Sequence, residues 1–173
     1  MKLSFASALV GCAFGLSVQG GEVSGKISGV HLCCKNCVTG VEKAVSEVQG
    51  ATATVDKDAG TVVLSGADAA TMQKAADALV AAGYFGKSSD GKINLSNKTG
   101  AQGKKVSSLQ VSGVHLCCAK CVKALDEALK TVPGAKSHTA EKGAKSFEVT
   151  GEFNDQELFE VLHKAGLSGK VGN

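Results

Sequence analysis

The sequence predicts an α+β fold that is built twice from one chain. The first observation is an internal repeat: residues 28–50 align with residues 112–134 without a gap, and twelve of the 23 positions are identical. The second observation is that each copy continues with the same order of segments, strand, helix, two strands and a second helix. This order is typical of an antiparallel sheet covered on one face by two helices. We therefore expect two tandem ferredoxin-like (βαββαβ) domains with antiparallel sheets.

The spacing of apolar residues distinguishes the first strand of each copy from the first helix. Residues 23–30 and 106–114 carry apolar and β-branched residues at strand-like spacing. Apolar residues then recur every three or four positions, which predicts an amphipathic helix with one buried face. These positions are Val38, Val41, Val45 and Val48 in the first copy and Val122, Leu125, Leu129 and Val132 in the second. Gly50 ends the first of these helices, and Pro133 with Gly134 ends the second.

Two short strands and a second helix complete each copy. The strands are predicted at residues 51–55 and 61–64, and again at residues 136–139 and 146–149. The second helix of each copy ends in Ala-Gly, and a short last strand can follow it.

The segment between the copies has the composition of a linker. Residues 89–105 are rich in Gly, Ser, Asn and Lys. Ile93 and Leu95 in this segment could extend the last strand of the first copy. The predicted domains are therefore residues 21–88 and residues 106–173.

The first twenty residues have the features of an export signal. Lys2 precedes a mostly apolar stretch that ends at Val18, and small residues fit cleavage after Gly20. A retained anchor is one alternative, although the stretch is short for a bilayer span and rich in Gly, Ala and Ser. Lipidation of Cys12 is another, because residues 9–12 (LVGC) resemble a bacterial lipobox. We expect a secreted or periplasmic bacterial protein with no stable membrane insertion after cleavage.

Charge and composition argue against nucleic-acid binding and against catalysis. All 19 basic residues are lysine, the acidic residues number 16, and the formal net charge is +3. Bidentate phosphate recognition normally uses arginine, and aromatic residues for base stacking amount to 4% with no Trp. Paired carboxylates such as Asp56 and Asp58 have no nucleophile near them in the sequence. We predict that the protein is not an enzyme.

Six of the seven cysteines and two of the four histidines lie in two matched heptapeptides. Residues 31–37 read HLCCKNC, and residues 115–121 read HLCCAKC. Three thiols and an imidazole within seven residues are soft and borderline donors, which suit Cu(I) or Zn(II) better than Mg(II) or Ca(II). With the motif at the start of the first helix, Cys34 and Cys37 share one side of its first turn. The helix N-terminus favours the thiolate form that a metal requires.

The strand, the CxxC motif, the helix, the two strands and the second helix ending in Ala-Gly resemble the heavy-metal-associated (HMA) domain family. This family includes copper chaperones and the N-terminal domains of metal-exporting P-type ATPases, and the resemblance covers residues 22–88 and 106–171. It implies that each CxxC pair binds a metal, with a buried leucine where the family has methionine and a tyrosine near the first metal loop. The implied residues are Cys34 with Cys37, Cys118 with Cys121, the buried Leu32 and Leu116, and Tyr84 in the second shell.

Besides the leucine, the motif departs from the family's usual GMTCxxC at two further positions. Cys33 and Cys117 precede the first family cysteine, and His31 and His115 replace the family glycine. A third thiolate suits a three-coordinate soft metal, whereas a Cys3His set would complete a tetrahedral zinc site. The candidate metal ligands are Cys33, Cys34, Cys37, Cys117, Cys118 and Cys121, with His31 and His115 as further candidates. His138 and His163 have no counterpart in the repeat and are expected to have no role.

These features predict an exported heavy-metal-binding protein whose CCxxC sites serve metal buffering, transfer or detoxification. The expected cargo is a thiophilic ion, Cu(I) or Zn(II), and the expected partners are metal-transport or metal-acceptor proteins with thiol ligands. The alternative is a thiol-disulfide redox or disulfide-stabilised interaction protein, because exported CxxC pairs at helix starts also serve oxidoreductases. The odd number of thiols in each cluster favours metal binding. The two modules could act independently or could clamp one metal between them.

Overall fold

A computed structural model of the chain describes residues 22–89, 91–96 and 98–172. The predicted export signal and the candidate lipidation site at Cys12 lie outside these residues. Within the described part of the chain, no helix is long and apolar enough to cross a membrane.

The first module folds in the predicted order of strands and helices. Its elements are β1 (Val23–Ser28), α1 (Lys35–Ser46), β2 (Ala51–Asp56), β3 (Thr61–Gly66), α2 (Ala69–Ala81) and β4 (Lys87–Ser88). The strands pair antiparallel in the order β2-β3-β1-β4. Every second residue of β3 is buried, as expected for a central strand with one face toward the core.

The second module repeats this architecture. Its elements are β5 (Lys105–Ser112), α3 (Ala119–Leu129), β6 (Ala135–His138), β7 (Ser146–Asn154), α4 (Asp155–Lys164) and β8 (Lys170–Val171). The strand order is β6-β7-β5-β8, again with antiparallel pairs. Two ferredoxin-like modules in tandem are therefore present, and the predicted fold class is confirmed.

Strand β7 is longer than its pattern predicted. The expected strand ended near Val149, but β7 continues through Gly151 to Asn154. Gly151 has a φ of 136°, and the pairing of β7 with β5 shifts register at this point. The bulge lets the strand continue so that Phe153, which is 1% exposed, enters the core.

The linker is docked against both modules. Ile93 is buried, and a Cβ on Gly25 would lie 2.7 Å from its Cδ1 atom, so Ile93 fills space over β1. The predicted extension of the last strand by Ile93 and Leu95 is wrong, because neither residue lies in a strand. Near its other end, Asp155 accepts hydrogen bonds from the backbone N–H groups of Gln102 and Lys104, at 2.9 and 2.8 Å. The polar composition predicted a connector but did not predict its packing.

Candidate metal centre

Each cysteine motif lies where the first strand of its module passes into the first helix. Cys34 is the N-cap residue of α1 and Cys118 is the N-cap residue of α3, both with extended backbone (φ −158°, ψ 171° and φ −152°, ψ 169°). Neither cysteine side chain caps its helix with a hydrogen bond. A cysteine at a position that Ser, Thr or Asp usually fills leaves its sulfur available for another partner.

The next cysteine of each pair is held inside the module. Cys37 and Cys121 lie in the first turns of α1 and α3, and both are fully buried. Leu32 and Leu116 are also buried, as expected for residues that plug the core beneath the motif. Each cysteine motif is therefore anchored in the core of its module by one buried cysteine and one buried leucine.

The two modules meet through their cysteine motifs and through the turns that follow their second helices. The N–H groups of His31 and Phe85 donate to the carbonyl of Gly166, at 3.3 and 3.1 Å. The N–H group of Ser168 donates to the carbonyl of Gly83 at 2.9 Å. Tyr84 and Leu167 form an antiparallel bridge. The turn of each module therefore supports the other module.

Glycine is required at the centre of both turns. Gly83 and Gly166 have φ values of 93° and 77°, a backbone region that other residues rarely adopt. A Cβ on Gly83 would lie 2.4 Å from the backbone nitrogen of His115, and one on Gly166 would lie 2.4 Å from the carbonyl oxygen of Gly29. Both neighbours belong to the opposite module, so the Ala-Gly pairs that end the second helices also permit the close approach of the modules.

This approach gathers all six predicted thiols into one cluster. Nine Sγ–Sγ separations lie between 3.4 and 3.9 Å, and five of them join the two modules. The shortest joins Cys33 to Cys118 at 3.4 Å. All six cysteines are free thiols. A Zn–S bond of about 2.3 Å implies tetrahedral S–S edges of ~3.8 Å, so these sulfurs are spaced like ligands of shared metal ions.

The two motif histidines lie against the cluster, but in different environments. A ring nitrogen of His31 is within 4.8 Å of the sulfurs of Cys33 and Cys121, a group that could hold a metal ion. The buried Nε2 atom of His31 has no hydrogen-bond partner among the described residues. Burial lowers the pKa of His31, which favours the neutral imidazole that binds metals.

His115, by contrast, is held by Tyr84. The Tyr84 hydroxyl donates to the carbonyl of Cys37 at 2.9 Å and lies 3.0 Å from His115 Nε2, with the two rings stacked at 4.5 Å. Because the hydroxyl proton is used by Cys37, the His115 Nε2–H group donates to the tyrosine oxygen. In a neutral ring with this hydrogen bond, the lone pair of His115 would be on Nδ1. The resemblance placed Tyr84 near the first cysteine motif. The ring of Tyr84 also contacts His115 of the second motif.

Sequence reasoning missed Gly40, which makes room for this arrangement. A Cβ on Gly40 would lie 2.3 Å from the Tyr84 hydroxyl and 3.2 Å from a ring carbon of His115. The signal was present in the repeat: the equivalent of Gly40 is Ala124, and the equivalent of Tyr84 is the smaller Leu167.

The pKa values of the thiols differ because their local environments differ. Burial and contact with neighbouring thiols raise the pKa of Cys117 to about 12 and raise that of Cys33 as well. Burial opposes ionisation of Cys118 too, but the backbone N–H groups at the start of α3 and the Cys33 thiol outweigh it and lower its pKa to about 7. The surroundings of Cys118 therefore favour its thiolate form more than those of Cys33 and Cys117 do.

The two remaining histidines lie outside the cluster. His138 is 3.4 Å from an oxygen of Asp126. His163 stacks on Phe85 of the opposite module with ring centroids 3.8 Å apart. His163 was expected to have no role, but the structure gives it a packing contact between the modules.

Comparisons with known proteins yield distant structural similarities. No protein-family model matches the sequence, and no curated protein matches it. The N-terminal domain of PacS from Synechocystis PCC6803 is similar at 20% identity and a TM-score of 0.36, over 39% of this chain and 100% of that one. The N-terminal soluble domains of Bacillus subtilis CopA are similar at 16% identity and a TM-score of 0.31, over 88% of this chain and 95% of that one.

A third similarity is weaker. The first two RRM domains of the yeast poly(U)-binding protein Pub1 are 10% identical with a TM-score of 0.23, over 87% of this chain and 98% of that one. All three TM-scores lie below 0.5, so these likenesses carry no argument about function. The resemblance to HMA domains continues to rest on the CxxC motifs and the order of elements.

Proposed function

We propose that this protein binds thiophilic metal ions, Cu(I) or Zn(II), in one thiol cluster shared by its two modules. The observation that carries the proposal is the set of six free thiols with Sγ–Sγ separations of 3.4–3.9 Å. Thiolates select soft and borderline ions, and an all-sulfur set favours Cu(I) over hard cations. Independent action of the two modules, which the sequence left open, is less well supported than a shared centre.

The proposed role is to carry or hold the metal as cargo in an exported compartment, for buffering, transfer or detoxification. No step of bond-making chemistry on an organic substrate is assigned. Transfer would proceed by ligand exchange, in which a thiol of a metal-transport or acceptor protein joins the ion before a cluster thiolate leaves. Cys117 lines an open groove of about 480 Å³ together with His115 and Lys145, and this groove offers a path for an incoming thiol.

The test is a metal titration of the reduced protein against a chromophoric Cu(I) chelator, repeated with Zn(II). We expect tight uptake that protects the six motif thiols from alkylation. The control is a variant with all six changed to serine, which should take up no Cu(I). If the protein binds neither ion while its thiols cycle at a defined potential, the thiol-disulfide redox function replaces the metal-binding one.

A further inference from the structure

The six sulfurs include two triangles of mutual contacts, and each triangle draws on both modules. Cys34, Cys37 and Cys117 form one, with sides of 3.7, 3.6 and 3.6 Å. Cys118, Cys121 and Cys33 form the other, with sides of 3.8, 3.4 and 3.5 Å. The two sets use every motif cysteine once, and the internal repeat exchanges one set for the other.

The alternative is that each motif holds its metal with its own three cysteines. Cys33 is 3.7 Å from Cys37 of its own motif, but only 3.4 and 3.5 Å from Cys118 and Cys121.

The difference is smaller in the second motif, whose own three sulfurs also lie within 4.8 Å of one another. Cys117 is 3.7 Å from Cys121 of its own motif and 3.6 Å from both Cys34 and Cys37. The cysteine that precedes each CxxC pair thus lies within 3.6 Å of both sulfurs of the pair in the opposite module.

We propose that each of these extra cysteines completes the metal site of the other module. Cys117 would join the Cys34–Cys37 pair, and Cys33 would join the Cys118–Cys121 pair, so that one chain holds two three-thiolate sites. This inference rests on the proposed metal binding and adds to it the assignment of ligands across the interface. Three-coordinate thiolate sites suit Cu(I).

The arrangement has a consequence for the molecule. Neither module by itself contains the proposed three-sulfur set, because the third sulfur of each set belongs to the other module. A bound ion therefore links the two modules, and the docked arrangement held by Gly83 and Gly166 is the form that binds metal most tightly. Separation of the modules would break both sets and leave each motif with only its own three cysteines, from which we expect the cargo to be released more easily.

Two triple variants with the same number of thiols test the assignment. C34S/C37S/C117S keeps Cys33, Cys118 and Cys121, a complete triangle across the modules. C33S/C34S/C37S keeps Cys117, Cys118 and Cys121, all from one motif. The two proteins differ only in which extra cysteine is retained, and both carry the same serine at buried position 37. We expect Cu(I) to bind the first about tenfold more tightly than the second in chelator competition.

The reciprocal pair repeats the comparison for the other site. C33S/C118S/C121S keeps one triangle across the modules, and C117S/C118S/C121S keeps the three cysteines of the first motif. Equal or tighter binding by the single-motif members of both pairs would overturn the ligand assignment, whereas loss of metal binding by the unaltered protein would overturn the proposed function itself.

A measurement on the unaltered protein avoids any folding defect of the variants. The protein is loaded with cadmium-113 as a thiophilic probe, and metal–proton correlation NMR identifies which cysteine β-protons couple to each ion. We expect one ion to couple to Cys34, Cys37 and Cys117. An ion coupled instead to Cys33, Cys34 and Cys37 would contradict the proposal.

Discussion

At the scale of single residues, Tyr84 makes the two halves of the metal centre unequal. Its hydroxyl joins the carbonyl of Cys37 in one module to the imidazole of His115 in the other. The equivalent residue Leu167 has no hydroxyl to offer, and the Nε2 atom of His31 is left without a hydrogen-bond partner among the described residues. The repeated motif thus contains one histidine that is held by a hydrogen bond and one whose Nε2 atom has no partner among the described residues.

The change Tyr84→Phe tests this interaction. It removes the hydroxyl that bonds to both the Cys37 carbonyl and the partly buried His115 ring, so we expect the free energy of unfolding of the metal-free protein to fall by about 1–3 kcal/mol. Chemical denaturation measures the effect. A double-mutant cycle with His115→Ala is the control, because the two changes remove the same hydrogen bond and should not be additive. Additive effects would mean that the hydroxyl does not stabilise the imidazole.

At the scale of elements, the start of α4 anchors the linker. Asp155 is 5% exposed, and its carboxylate accepts from two backbone N–H groups of the linker. Burial alone would raise the pKa of Asp155, but the N–H donors of Gln102 and Lys104 outweigh it and hold the pKa below its ordinary value. The carboxylate therefore ties a polar segment to the second module.

Removal of this carboxylate should loosen the linker. We expect Asp155→Ala to lower the free energy of unfolding by roughly 2 kcal/mol at pH 7, since hydrogen bonds to a charged group are lost. The matched control is Glu157→Ala, which removes an exposed carboxylate from the same helical turn and should change stability by less than about 0.5 kcal/mol.

Acid should reduce the difference between the wild type and Asp155→Ala. Because the native pKa of Asp155 lies below the unfolded value of about 4, its stabilisation is complete above that value and is lost as the pH falls through the native pKa. Denaturation curves at pH 7 and pH 3 measure this change. A difference that stays constant over this range would contradict a stabilising role of the ionised carboxylate.

At the scale of the whole molecule, the six-thiol cluster exists only where the modules dock. The five Sγ–Sγ contacts between modules depend on the turns at Gly83 and Gly166, where two backbones approach each other. A change in a turn should therefore weaken metal binding without altering any thiol.

A comparison of Gly166→Ala with Gly113→Ala distinguishes the effect of poorer module docking from the effect of backbone strain. The two glycines have φ values of 77° and 75°, so both alanines carry a similar conformational cost of about 1–2 kcal/mol. A Cβ at position 166 would collide with Gly29 and His31 of the other module, whereas one at position 113 would meet nothing within 4 Å. We expect Cu(I) affinity to fall about tenfold or more in Gly166→Ala and to stay near wild type in Gly113→Ala. Equal affinities in the chelator competition would argue against a shared centre.

Much of each module could be predicted because its signals are local. The apolar stripes predicted α1 and α3, and the Ala-Gly pairs predicted the ends of α2 and α4 to within a residue or two. The extension of β7 could not be predicted in this way, because a glycine in a strand pattern can end the strand or form a bulge. Which of these occurs depends on whether Phe153 finds space in the core.

The sequence by itself determined the duplicated fold, the two CxxC pairs at helix starts and the six thiols as candidate ligands, because periodicity, caps and motif spacing act within a few residues. Only the tertiary structure decided which thiols lie together. The sulfurs that meet across the interface are separated by 80–88 positions in the chain. Their contact depends on how the backbones of two folded modules fit at Gly83 and Gly166, and this shape is not encoded in the spacing of either motif.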